Sequence, residues 1–336
     1  MLQTLTRRAL VAGAALSFVA GCSGSSLNSG QTPSVIPNSA HVVGGMRVLP
    51  GPDVSGPIVV PAVPARPFAP AGWPDKKKKK KSLLFVADAS SGVLIYNPKT
   101  ANGSPTGSIT TGVDTPGGVA VDSHGSLYVA NLGNSTVTVY PAGQSSPSLT
   151  ISTGISSPYG IGVDSKGNVF VSNLGTNDIT AYAAGSTTPY ATINFNSEGQ
   201  AVGVGVDGKD NVWVACDSSN AVFEIPAGTT TPQNSNLGGV VGPIGVSFGK
   251  SDSIYVSNFG GNDVNIYAYG STTASTTITD GINGPTLAGV TSKGLFFQTN
   301  QDDNVVGYKS GQTSPFSTLS GASEALGVAS SPLVKK

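Results

Sequence analysis

Six oxygen-bearing side chains, Asp88, Asn131, Asn173, Asp217, Asn258 and Asn300, recur 41 to 44 residues apart, each just after a short apolar stretch. Side chains of this type support two kinds of chemistry. Asn and Asp cap turns by accepting nearby backbone amides. Gathered around a channel, their hard oxygens would also suit Ca²⁺, which takes six to eight such ligands. The spacing is compatible with both, although no dense carboxylate cluster accompanies it. No cofactor is expected, although Ca²⁺ is an ion these residues could hold.

Other reactive side chains are sparse. From residue 83 onward there is one histidine, His124, in the turn Ser123-His124-Gly125, and one cysteine, Cys216. A serine-protease-type triad or a histidine-ligated zinc centre needs partners that the pattern does not supply. Cys216 reads either as a small buried hydrophobe or as a nucleophile with no base near it in sequence. The expectation is a protein that is not an enzyme. Tyr159, with Tyr190 and Tyr269, falls where an exposed ring could stack on a sugar or anchor an interface. Tyr128, Phe170, Trp213 and Tyr255 share one strand position and read as core.

The elements that must position these residues repeat. Strands beginning at Leu84, Leu127, Val169, Val212, Ile254 and Leu295 start 43, 42, 43, 42 and 41 residues apart. Before each except the first runs a Gly-led strand and a tight turn, such as Gly118-Val119-Ala120-Val121-Asp122 followed by Ser123-His124-Gly125. After each come a polar loop, a third strand such as Thr136 to Tyr140, and a fourth such as Ser148 to Ser152. Four short strands in every unit of about 42 residues predict an all-β, six-bladed β-propeller over residues 83–332. The first copy lacks a Gly-led strand, and Leu326-Gly327-Val328-Ala329-Ser330 is a Gly-led strand with no copy after it. The C-terminal strand is therefore predicted to close the N-terminal blade, removing an open sheet edge.

The run from Gly118 to Asn131 resembles the NHL-repeat family of propellers. The fifth copy departs from the pattern at Phe248-Gly249 and the last at Gln298-Thr299. The resemblance implies that loops between strands two and three share a face with the inter-blade loops, and that ligands meet this face and the central channel. The candidate binding face is thus Asp88, Asn131, Asn173, Asp217, Asn258, Asn300 and Tyr159, with His124 on the opposite side. Propeller lyases of peptides or streptogramins resemble the repeat too, but the histidine or metal ligands they depend on have no counterparts here.

The N-terminus reads as an address. Arg7 and Arg8 precede a largely apolar stretch, Ala9 to Ala20, which at 1.5 Å per residue reaches only about 18 Å and suits an export signal better than a span. Val19-Ala20-Gly21-Cys22 resembles a bacterial lipobox, which predicts a signal peptide over 1–21 and acylation of Cys22. Thr6 to Val11 also resembles a loose twin-arginine signal, so the export route stays open. Ser23 fits sorting to the outer membrane or cell surface. Residues 22–82 form a stalk in which Pro recurs ten times between 33 and 74, favouring extended chain. The stalk ends in Lys76 to Lys81, a solvated linker or an attractor of anionic lipid or glycan.

Residues 83–332 contain six lysines, no arginine and sixteen acidic residues, a formal charge of −10. Nucleic acid is not an expected partner, because phosphate neutralisation needs clustered cations. These features predict a monomeric, membrane-tethered, non-catalytic binding or scaffolding propeller of the cell envelope, with a protein, peptide or glycan partner. The alternative is a metal-dependent lyase or lactone hydrolase with its ion in the central channel.

Overall fold

Alternating and doubly buried apolar patterns dictate how the strands stack. The second strand of every unit after the first is buried at every position, as in Leu127–Asn131, Val169–Asn173 and Val212–Cys216. Such a strand must have packing partners on both faces, which a ring of stacked sheets supplies. The third strand, Thr136–Tyr140, alternates Thr and Val, and the short outer strands, such as Leu149–Ile151, expose one side. Full burial of each Val, Leu or Ile contributes about 1.5–3 kcal/mol.

The structure, a computed structural model, describes residues 82–331. The predicted signal peptide, Cys22 and the stalk as far as the lysine run lie outside the described residues. Those residues form 24 strands, β1 to β24 in chain order, arranged as six four-stranded antiparallel sheets. Residues 82–331 are therefore a six-bladed β-propeller, as the repeat predicted. Among the described residues no helix is long and apolar enough to cross a membrane.

The ring closes through the chain's end. β24 (Ala325–Ser331) pairs antiparallel with β1 (Leu83–Asp88), with Val86 opposite Val328 and Leu83 opposite Ser331. β24 is thus the inner strand of the first blade. The inner strands of the other blades are Pro116–Val121, Pro158–Val163, Ala201–Val206, Pro243–Phe248 and Pro285–Val290. Each contacts its two neighbours, and β24 bridges the last to the first.

Glycine sets how closely these strands approach. A side chain on Gly118 would meet the Tyr159 carbonyl oxygen at 2.5 Å, and one on Gly160 the Val202 carbonyl at 2.5 Å. Further out, tyrosine hydroxyls stitch blades together. Tyr140 donates to the Thr111 carbonyl at 2.8 Å, Tyr182 to Thr153 at 2.8 Å and Tyr308 to Asp280 at 2.7 Å. Tyr96 does the same across the closure, donating to Ser320 at 3.0 Å.

Two readings of the repeat change. In the sixth blade the second strand is Phe296–Asn300, one residue later than the expected start at Leu295. Pairing of Pro285 with Asn300 and of Ala288 with Gln298 fixes this register. Gln298 therefore replaces a core valine, Thr299 the small residue, and Asn300 keeps the Asn position. In the fifth blade Gly249 stands where the second, third and fourth blades carry a capping Asp. A side chain there would lie 2.6 Å from the Ser253 hydroxyl and 2.7 Å from the Tyr255 ring, and the turn continues as a short 3₁₀ segment, Lys250–Asp252.

Asp88 ties the closure down. Its Oδ2 accepts the backbone N–H groups of Ser323 at 2.6 Å and Glu324 at 3.0 Å. Burial acts to raise its pKa, but hydrogen bonds from Glu324, Ser323, Ser90 and Ser91 outweigh it and hold the carboxyl below its ordinary value. Stability from this group is full above the unfolded carboxylate pKa of about 3.9 and is lost as pH falls through the lower folded value. Two outcomes follow. Deleting residues 325–336 should lower the melting temperature of the whole domain; unchanged melting would refute closure through β24. Asp88→Asn should destabilise the ring at neutral pH, and the gap from the parent should narrow in melts below about pH 3.

Candidate functional site

Each inner strand runs from the inter-blade loop on one face to the hairpin that joins strands one and two on the other. The first face, here the upper face, also carries the loops between strands two and three. The lower face carries the strand-one-to-two hairpins and the turns between strands three and four.

The Asn ring lies beneath the upper face. Asp88, Asn131, Asn173, Asn258 and Asn300 are each 0–1% exposed. Every Asn in it clamps the preceding inter-blade loop. Asn131 Oδ1 accepts the Asp114 N–H at 3.1 Å, while its Nδ2 donates to the Gly112 carbonyl and to Thr138. Asn173 repeats this with Ser156, Gly154 and Thr180, and adds a 2.8 Å bond to Asp178. Asn258 holds Val241 and Asp263, and Asn300 holds Asn283, Gly281 and Asn304. These carboxamides are turn clamps, so a cation could reach them only by displacing loop backbone. Among the described residues no group of three or more His, Cys, Asp or Glu is placed to hold a metal ion.

The fourth blade builds the clamp from apolar groups. Cys216, not Asp217, occupies the ring position, opposite Ala201. Its neighbours include Phe195 and Phe223, whose rings meet edge-on at 5.9 Å. Phe223 faces Val214 as Thr138 faces Val129 in the second blade. An Asn–Thr pair has thus become a Cys–Phe pair. Burial, and secondarily Glu198, pushes the Cys216 thiol pKa far up, which fits a packing residue rather than a thiolate nucleophile. Asp217 lies one residue beyond, half buried on the upper face. It makes no side-chain hydrogen bond, and burial raises its pKa.

Tyr159 is not exposed. It lies on an inner strand, is 9% exposed, and packs with Val202 and Ile244 from the next two blades. Half-buried Leu174, Phe259, Leu287 and Leu326 complete this cluster. Leu287 comes within 3.2 Å of where a side chain on Gly118 would sit and within 3.5 Å of the same point at Gly327, so it reaches across the channel. The upper mouth is therefore plugged by apolar side chains. Val241, 47% exposed, stands beside it against Gly260. Tyr190 and Tyr269 are half buried, and Tyr128, Phe170, Trp213 and Tyr255 are core, as expected. The plug was missed in the sequence, although its signal was present: an apolar residue follows Pro or Ala at the start of several inner strands.

Around this centre the upper face carries exposed Asp114 and Asp302 and half-buried Asp217 and Asp263, while Asp88 and Asp178 are buried and hydrogen-bonded; no lysine or arginine lies there among the described residues. His124 lies on the lower face, as predicted. Its Nδ1 is 3.9 Å from Asp122 and 3.4 Å from the Ser123 hydroxyl. Acid and hydroxyl approach the same ring nitrogen, whereas a proton relay needs them on opposite nitrogens. A shallow cleft of about 390 Å³ at the rim of the fifth blade is lined by Gly238, Asp263 and Asn265; Asp263 and Asn265 are both engaged in protein hydrogen bonds.

Comparison with known proteins supports the fold. Residues 114–140 match the NHL repeat model. No curated protein matches in sequence. Among solved structures, a chain of the nidogen/laminin complex aligns with a TM-score of 0.63 at 13% identity, over 76% of this chain and all of that one. Virginiamycin B lyase from Staphylococcus aureus aligns at 0.53 and 13% identity, over 74% and 88% of the two chains. A streptogramin B lyase aligns at 0.52 and 14%, over 74% and 87%.

The clamp role has a measurable consequence. Asn173→Ala leaves the Ser156 N–H and two side-chain partners unsatisfied, so chemical denaturation should show a loss of about 1–3 kcal/mol; a neutral substitution would remove the clamp from the account. With six closed blades and the matched segment in the second of them, residues 82–331 are a six-bladed β-propeller in which residues 114–140 are similar to the NHL repeat.

Proposed function

We propose that this chain is a lipid-anchored, non-catalytic binding propeller of the cell envelope that takes a protein partner on its upper face. The observation that carries the reading is the apolar plug. Tyr159, Val202, Ile244 and the half-buried Leu174, Phe259, Leu287 and Leu326 occupy the place where a catalytic propeller would need polar groups or an ion. An apolar centre within a charged rim has the layout of an interface core and its periphery. The fold likeness to a chain of the nidogen/laminin complex, a protein assembly, supports this reading. Acylation at Cys22 and the stalk supply the tether, since two or more acyl chains give stable anchoring.

The alternative, a metal-dependent lyase or lactone hydrolase, draws on the fold likeness to the streptogramin and virginiamycin B lyases. An ion bound only by the folded state at about 100 times its Kd adds roughly 2.7 kcal/mol, so the two readings separate in a melt.

Cross-linked capture from envelope extract should recover a partner with the parent protein and with Lys166→Gln on the lower face. The Val241→Asp protein, altered at an exposed position, should lose it while melting normally. Equal capture by all three would remove the upper face from the reading. Melting in Ca²⁺ should match melting in chelator; a reversible shift would favour the alternative.

A further inference from the structure

The propeller's six lysines lie on one face. Lys166, Lys209, Lys250 and Lys293 occupy the hairpins between strands one and two, and Lys99 and Lys309 follow the third strands of their blades. Register places all of these turns at the lower end: Tyr96 pairs with Leu84, Phe296 pairs with both Val290 and Tyr308. All six lysines are exposed, and none makes an ion pair among the described residues. Lys209 lies 3.8 Å above the Tyr269 ring.

The three capping carboxylates on this face point inward. Asp122, Asp164 and Asp207 are 7%, 6% and 0% exposed and cap their hairpins, each with Oδ1 accepting two backbone N–H groups at 2.8–2.9 Å. Asp210 accepts from Ser165 and Asp252 from Gly208. Half-buried Glu224 lies near Lys209 at the lower end of its strand, which leaves the ammonium groups of Lys99, Lys166, Lys250, Lys293 and Lys309 as the outermost charges. Both ends of the described chain, residue 82 and Ser331, reach this face, because Leu83 pairs with Ser331 at the lower end of β1. Lys76 to Lys81 immediately precede residue 82, and Lys335 and Lys336 follow shortly after Ser331.

We infer that the lower face docks on a membrane surface of anionic phospholipid headgroups and turns the acidic upper face outward. Charge complementarity argues for the lower side, since each lysine near an anionic surface contributes about 1 kcal/mol. The exposed carboxylates of the upper face, Asp114, Asp280 and Asp302, argue against the reverse orientation. Lipid is favoured over a soluble polyanion because the chain leading to Cys22 leaves from this same face. Docking by charge does not itself require the acyl group, and it does not depend on what the upper face binds.

The test uses the full chain with Cys22→Ser, which removes the acylation site, in flotation with phosphatidylglycerol-rich and pure phosphatidylcholine vesicles at about 0.1 M salt, where screening sets in near 10 Å. Lys99→Gln/Lys166→Gln/Lys250→Gln/Lys293→Gln leaves the lysines over aromatic rings in place. It should cut binding to the anionic vesicles at least about tenfold and leave phosphatidylcholine binding unchanged. Asp280→Asn/Asp302→Asn alters net charge on the upper face and should change binding less than about twofold, being more than a Debye length from the surface. The inference is overturned if the four-lysine variant floats like its parent, if the upper-face variant changes binding as strongly, or if dextran sulfate in solution binds the lower face as tightly as the vesicles do.

Discussion

The structure depends on six inner strands passing one another at backbone contact around an axis. Glycines at Gly118 and Gly160 permit the approach, since any side chain there would collide with the next strand's carbonyl. Contact this close leaves no tolerance for a gap. The ring therefore borrows β24 from the chain's end to complete its first blade, and Asp88 fixes the junction through backbone N–H groups of Ser323 and Glu324.

The same closeness explains the upper face. The inner strands start near the axis, so side chains at their second position converge, and Tyr159, Val202, Ile244 and Leu326 have each other as neighbours. Burial of this cluster helps seal the ring and leaves an apolar centre. Outside it, inter-blade loops need anchoring, and a buried Asn satisfies one loop N–H and one loop carbonyl at once. Where Cys216 replaces that Asn, Phe195 and Phe223 anchor the loop by packing instead.

Polarity between the two faces follows from the order of strands. Hairpins between strands one and two recur on one side, and a lysine in that turn projects from the same side in every blade that has one. In the second, third and fourth blades the Asp that opens the turn is spent on capping, so its charge is drawn inward. Among the described residues the upper side carries exposed carboxylates such as Asp114, Asp280 and Asp302 and no lysine or arginine. A molecule with two such unlike faces has the means to meet two unlike surroundings.

The period near 42 residues, the four-strand unit and the missing Gly-led strand at the start determined the fold, the blade count and the C-terminal closure, because strand periodicity and turn chemistry are local. His124 was placed on the lower face for the same reason. Three things were decided only by the tertiary structure. Tyr159 follows a proline in a loop-like segment, and nothing local distinguishes an exposed ring from one that meets partners two blades away. Asn131 and Asn173 end their strands identically whether they bind an ion or a loop 17 residues upstream; only the position of that loop showed that the loop is their partner. The six lysines are scattered through a chain with a formal charge of −10, and their common face emerges only when six hairpins are set side by side. Sequence records which groups recur, and the ring decides which of them meet, since meeting depends on contacts between residues tens to hundreds of positions apart.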